Sequence, residues 1–363
     1  MFTKEKSNIG RQLELDVARC LAVFFMILVH VQLYFAKGTV IDSWIGRAID
    51  FAGSLPAAPM FMFLLGVGIN YTSKEEPKHF FKRGVLLFAG GYILNFLRGF
   101  LPHIINYFIY KDVRFYYGAL VELLYVDIFQ FAGLTMLFFG VLKYLKADYL
   151  TITICAIALA LSNIFVSNIT IDNFWISSLI GLIWGASEHS YFPFLTWIFY
   201  PLSGYLFGSL LIRCQDKKRF YRITAIVSAL FFFGGIFTFN WSIGLRSGLK
   251  TDIAYYHHIF TDNITFTAFV ILEISLISFI TTYIPKALME LIVRWSKNVT
   301  AIYFIHWILI GWIALVIAGD SLSYLPFFVL CLIIAIISDI GAEFYRKYRD
   351  GIKKTIKKNK KWV

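Results

Sequence analysis

The chain has 363 residues, of which 59% are hydrophobic, 19% aromatic and only 15% charged, with a mean hydropathy of +0.69. A soluble domain carries about 25% charged residues and apolar runs no longer than a core helix needs, so an ordinary water-soluble fold is excluded and a bilayer is indicated. The 34 Lys and Arg exceed the 22 Asp and Glu by 12; in a soluble chain this would suggest nucleic acid, but in a membrane chain it asks on which side the bases lie.

A hydrocarbon core about 30 Å thick takes about 20 residues of helix, because every backbone polar group must be satisfied within the segment. Ten spans are predicted: Leu13–Tyr34, Ile49–Tyr71, Phe80–Leu97, Leu120–Leu142, Leu150–Val166, Phe192–Ile212, Tyr221–Trp241, Asp262–Tyr283, Thr300–Ile317 and Leu325–Phe344. Phe100–Tyr110 and Phe174–Trp184 are apolar but short, and read as interfacial or re-entrant pieces. With the N-terminus inside, 26 of the 34 bases fall in cytoplasmic segments or at the inner ends of spans and seven outside, which leaves Arg19 within the first span. That asymmetry predicts an all-α polytopic membrane protein with both termini cytoplasmic. Residues 1–345 read as a single transmembrane domain, and 346–363 as a basic cytoplasmic tail resting on anionic lipid. Lys4, Lys6 and Arg11 before an apolar stretch resemble a signal peptide, but a cleavable segment is shorter and would not hold Asp16 and Arg19, so the first helix is expected to stay.

Ionisable groups inside spans are costly unless paired or facing a wet cavity, which makes each a functional candidate. In the first span Arg19 and His30 are eleven residues apart, within about 20° of one face and separated by about 16 Å of rise. Asp16 and Arg19, three apart, have the spacing to pair. A structural ion pair at the interface and a satisfied core histidine would explain these residues; so would a buried cation and a proton acceptor, since histidine is deprotonated near neutral pH. The ninth span places Tyr303 and His306 on one face, where a buried His–Tyr hydrogen bond is the simplest reading. Asn95 with Arg98, and Asp127 with Gln130, are further pairs at three-residue spacing that would serve as interhelical glue, and Glu122 and Glu273 add to a polar interior. Gly66 and Gly68 permit close approach of a helix or a ligand, and Lys78, Lys82 and Arg83 suit either topology or a phosphorylated donor.

Four scattered cysteines without CxxC spacing suggest neither a disulfide framework nor a zinc site. No P-loop, GxSxG, HExxH or nucleic-acid module is found. His257-His258 and Glu188-His189 lack the partners a metal or catalytic site needs. A transporter or flippase would also use intramembrane charges, though neither an internal repeat nor paired interrupted helices are evident.

Leu15-Asp16 followed by Arg19 and, after ten residues, His30 resembles the N-terminal signature of membrane acyltransferases related to the acyltransferase 3 family. Pro59 to Gly68, Lys82-Arg83-Gly84 leading to Asn95 and Arg98, Val126-Asp127 to Gly133, Phe192-Pro193 to Gly208, and Ala301 to His306 look like the heparan-α-glucosaminide N-acetyltransferase branch. The resemblance runs from about Arg11 to Trp312. It implies a transmembrane acyltransferase in a bacterial cytoplasmic membrane, moving acetyl from cytosolic acetyl-CoA to an amino or hydroxyl group of a sugar or glycan at the outer face. On this reading His30 is the general base, with Arg19 and Asp16 stabilising or orienting charge and His306 the second choice for base or acceptor positioning. Lys82, Arg83, Asn95 and Arg98 are the expected donor-binding residues, and no metal is called for.

Overall fold

In a computed structural model, residues 2–167, 169–238 and 255–359 are described, and they form helices with only three isolated β-bridges. Eight helical segments among them are long and apolar enough to cross a membrane: Leu13–Phe35, Trp44–Asn70, Pro77–Tyr110, Tyr149–Val166, Phe194–Leu211, Lys217–Ile236, Phe260–Tyr283 and Tyr324–Ile352. The other two expected spans are also helical. Ile128–Tyr144 is apolar but has 17 residues, and Lys286–Ile313 has 28, with Lys297, Asn298 and His306 among them. The all-α polytopic membrane fold is therefore observed.

The first helix, α1 (Leu13–Phe35), is followed by the single turn α2 (Gly38–Ile41). The second expected span is two helices, α3 (Trp44–Ser54) and α4 (Ala58–Asn70). Pro56 between them cannot donate to the helical ladder, whereas Pro59 sits in the first turn of α4, where its missing N–H costs nothing.

The third helix runs on beyond its expected end: α5 (Pro77–Asn95), a π-helical segment Phe96–Phe100 and α6 (Leu101–Tyr110) are continuous. Phe100–Tyr110 is thus an extension of the third helix rather than a separate interfacial piece. Pro102 would clash with the Arg98 carbonyl in a regular helix, and the wider π turn relieves it. The carbonyls released there are used by a neighbour, because Trp312 Nε1 donates to the Leu97 carbonyl at 3.0 Å.

α7 (Val113–Leu124) folds back on α6. The predicted fourth span is cut at its start, since α8 (Ile128–Tyr144) begins only after Asp127. The Asp127 carboxylate accepts from Ile128 N at 2.7 Å, and Gln130 Oε1 accepts from Asp127 N at 3.2 Å, a reciprocal cap that fixes the boundary. α9 (Tyr149–Val166), the short α10 (Phe174–Ile180), α11 (Phe194–Trp197), α12 (Phe199–Leu211) and α13 (Lys217–Thr238) follow. The predicted end of the seventh span at Trp241, with Arg246 and Lys250, lies outside the described residues. The chain ends with α14 (Phe260–Ile280), α15 (Lys286–Ile313) and α16 (Tyr324–Asn359), which continues unbroken into the basic segment after Phe344.

Loops expected on one side of the membrane do touch one another. On the N-terminal face Thr3 N donates to the Arg213 carbonyl at 3.0 Å, Lys6 pairs with Glu75 at 3.0 Å, and Arg213 lies over the Tyr149 ring. On the far face Lys37 N donates to the Leu322 carbonyl at 2.9 Å, Val126 bridges to Ser190, and Tyr255 donates to the Ser54 carbonyl at 2.9 Å. α1 lies at the centre, against α3, α4, α14, α15 and α16. α4 and α12 cross closely because Gly66 sits on the Pro201 carbonyl and Gly204 on that of Phe63, leaving no room for a Cβ at either.

Candidate active site

At the N-terminal end of α1, Asp16 is buried and holds two helices together. Arg11 Nε and Nη2 donate to its two oxygens at 2.5 and 2.8 Å, and Ser296 Oγ on α15 donates to Oδ1 at 2.6 Å. Arg19 Nη1 is 3.8 Å from Asp16 and donates to Ser296 Oγ at 2.9 Å. The Asp16–Arg19 pair exists as the spacing implies, but Arg11 is the closer, two-pronged partner. Beside it the Glu14 carboxylate accepts from the Tyr221 hydroxyl at 2.7 Å and pairs with Lys217 at 2.6 Å, tying α1 to α13. Arg83 on α5 lies close enough to Arg19 for the two charges to act on each other. Lys82 and Arg83 are both exposed on that helix.

Five residues before the end of α1, His30 meets His306 of α15, with Nδ1 and Nε2 at 3.0 Å and the two rings stacked. The proton positions follow from their neighbours. His306 Nδ1 is 3.1 Å from the Ile302 carbonyl, which only accepts, so Nδ1 carries the proton and Nε2 the lone pair. His30 Nδ1 must then donate, which leaves the His30 lone pair on Nε2. His306 is fully buried, whereas His30 keeps part of its surface open.

The His pair rests on a charged support. The Trp307 ring lies 4.1 Å from the His30 ring, centroid to centroid, and 4.2 Å from the Arg98 guanidinium carbon. Arg98 pairs with Asp127 at 2.7 Å, both buried, and the Tyr303 hydroxyl donates to Asp127 at 3.1 Å. Tyr303 touches His306 edge to face, ring centroids 5.2 Å apart, and spends its hydroxyl on the carboxylate. The simplest reading of the Tyr303–His306 spacing is thereby corrected, since the partner of His306 is His30.

The expected donor-binding set divides. Arg98 belongs to the histidine cluster, and Asn95 donates to the carbonyls of Leu123 and Tyr125 at 3.2 and 2.8 Å, shaping the α7–α8 corner. Lys82 and Arg83 precede Asn95 and Arg98 by twelve to sixteen residues on the same continuous helix, about 18–24 Å along its axis, so the four do not make one site. In the same way the rise of α1 keeps Arg19 and Asp16 out of contact with His30. The pairs Asn95/Arg98 and Asp127/Gln130 are real neighbours in sequence, but the decisive link crosses between helices, Arg98 to Asp127. Sequence reasoning also missed Trp307 and Ser296; one signal for the ion pair was present, because a buried Arg and a buried Asp in apolar helices need each other.

His257 and His258 are taken up in the fold. His257 Nε2 is 2.6 Å from the Ser190 carbonyl, and His258 meets the Tyr200 hydroxyl at 2.7 Å and the Tyr255 carbonyl at 2.8 Å.

The family model described as heparan-α-glucosaminide N-acetyltransferase, catalytic, matches residues 11–238. No curated protein and no solved structure gives a match. The matched stretch contains Asp16, Arg19, His30, Arg83, Arg98 and Asp127, while His306 and Trp307 reach the same cluster from beyond it. With well over half of its length matched, the chain belongs to the heparan-α-glucosaminide N-acetyltransferase catalytic family, a family of membrane acetyltransferases.

Proposed function

We propose that the protein transfers an acyl group, in the first instance acetyl, from acyl-CoA at the cytoplasmic face to an amino or hydroxyl group of a sugar or glycan at the opposite face. The observation that carries this reading is the His30–His306 hydrogen bond within a chain of an acetyltransferase family. It leaves a lone pair on His30 Nε2, poised to take the acceptor proton as the acceptor attacks the thioester carbonyl. His306 acts as a positioning residue that holds His30 in the required tautomer.

The donor enters from the basic side. Positive residues concentrate on the N-terminal face, which supports a cytoplasmic assignment for that face, and a bacterial cytoplasmic membrane is the setting we propose. Arg19, oriented through Asp16 and Ser296, and Arg83 with Lys82 hold the donor phosphates there. The pantetheine arm of CoA then spans the rise of α1 between Arg19 and His30, about 16 Å. The basic continuation of α16 lies on anionic lipid.

Purified protein in detergent with acetyl-CoA, followed by free thiol with and without D-glucosamine and other amino sugars, tests the reading. The wild type releases CoA in the presence of an acceptor, and His30→Ala is slower by about 10²–10⁴-fold. If no acceptor raises CoA release above the His30→Ala control, while the protein moves a solute across vesicles, a transporter replaces the enzyme.

A further inference from the structure

Arg98 has more hydrogen-bonding capacity than its surroundings use. Its Nη2 faces Asp127, but among the described residues Nε and Nη1 are buried and have no hydrogen-bond partner. A guanidinium presents its donors in a fixed fork, and a buried charged donor left unmade carries a desolvation cost. The group is nonetheless firmly held. Asp127 fixes it from one side and is itself tied to the start of α8 and to Tyr303. The Trp307 ring supports it, and the π-helical segment that carries it is clamped to α15 through Trp312 and by Gly311, which sits against the Arg98 carbonyl. The same Trp307 ring carries His30, so guanidinium and imidazole lie no further apart than those two ring spacings together.

We propose that Arg98 Nε and Nη1 bind the carbonyl oxygen of the acyl thioester and stabilise the negative charge that gathers on it during transfer. This rests on the acyl-transfer reading and replaces a donor-phosphate role for Arg98 with one at the reacting bond. As the acceptor nitrogen or oxygen bonds to the carbonyl carbon, its proton passes to His30 Nε2 and the C=O electron pair moves onto the oxygen facing Arg98. When that pair returns, the C–S bond breaks, and the departing CoA thiolate takes the proton from His30. Preorganised donors aimed at a developing oxyanion are commonly among the largest contributions to acyl transfer.

The test compares wild type, Arg98→Lys, and the double variant Arg98→Gln/Asp127→Asn, each as the full chain in detergent. Lysine keeps a positive charge beside Asp127 but gives up the fork; the double variant removes both charges together, and asparagine still caps α8. Turnover is measured with acetyl-CoA and D-glucosamine, which has no carboxylate. Affinity is measured for S-ethyl-CoA, which lacks the carbonyl, and for S-(3,3,3-trifluoroacetonyl)-CoA, whose hydrated ketone mimics the tetrahedral intermediate. Both variants should lose about 10²–10³-fold in kcat and the same order in affinity for the trifluoroketone, while S-ethyl-CoA binds as to wild type. Wild-type kcat in Arg98→Lys overturns the proposal, and so does a loss confined to the KM of either substrate. Absence of wild-type turnover with every amino sugar tried, together with movement of a solute across vesicles, refutes the transfer reading instead; equal trifluoroketone binding by wild type and Arg98→Lys overturns the Arg98 role separately.

Discussion

Truncating His306 to alanine tests the tautomer deduced for the histidine pair. In the wild type the His30 Nδ1–H donates to His306 Nε2 at 3.0 Å, and that bond is what leaves the lone pair on His30 Nε2. His306→Ala deprives a largely buried N–H of its acceptor. A buried donor left unsatisfied costs about 1–3 kcal/mol. If His30 must bear that cost to present Nε2 unprotonated, kcat falls by about 5- to 150-fold, at about 1.4 kcal/mol per decade. His306→Gln returns an acceptor oxygen at similar reach and should recover most of the loss. CoA release at saturating acetyl-CoA and D-glucosamine reads kcat, with thermal unfolding of each variant in the same detergent separating chemistry from fold. Three results would refute the reasoning: wild-type kcat in His306→Ala, no recovery in His306→Gln, or a His306→Ala loss as deep as that of His30→Ala. The last would mean that His306 performs the proton transfer itself.

Other consequences can be measured with the same protein. Asp127→Ala strands the buried Arg98 charge, which costs about 3–5 kcal/mol, and removes the α8 cap, about 1 kcal/mol more; a large drop in thermal midpoint is expected, with Asp127→Asn clearly milder. Gly311→Ala places a methyl against the Arg98 carbonyl and should destabilise by about 1–3 kcal/mol while slowing turnover, because α15 carries His306; unchanged thermal midpoint and rate would show that the helices have slack there. Arg83→Ala should raise the KM for acetyl-CoA with little change in kcat, and equal KM would remove Arg83 from the donor site. Lys6 holds Glu75 below the usual carboxylate range through a hydrogen bond and its charge. The folded value is depressed, so this tie is present above the ordinary glutamate value and is lost as pH falls through the lowered one. Both side chains are about half exposed, so its worth is below about 1 kcal/mol; limited proteolysis of the N-terminal segment should quicken below about pH 4, and Glu75→Gln should abolish that pH dependence.

What the sequence determined by itself was the part of the physics that is local along the chain. Apolar runs of bilayer length located the spans, and the bases grouped the loops into two sets whose members touch in the fold. Three-residue spacing anticipated that Asp16 and Arg19 are neighbours, and His30 stood out as an ionisable group in an apolar helix. Pro56, Pro102 and Asp127 moved the helix ends away from the limits of the apolar runs, because a missing N–H or a capping carboxylate outweighs apolarity there. Only the tertiary structure decided the partners. His30 and His306 are 276 residues apart, and Arg98 reaches Asp127 and Trp307 across three helices. Nothing in periodicity encodes which helix faces which, since lipid-facing and helix-facing apolar surfaces are composed alike; side-chain packing and the need to pair buried charge choose between them. The same packing brought Arg98 to Asp127 and Trp307 beside the histidine pair and left Lys82 and Arg83 exposed nearer the basic face, so one expected set of residues fell in two places.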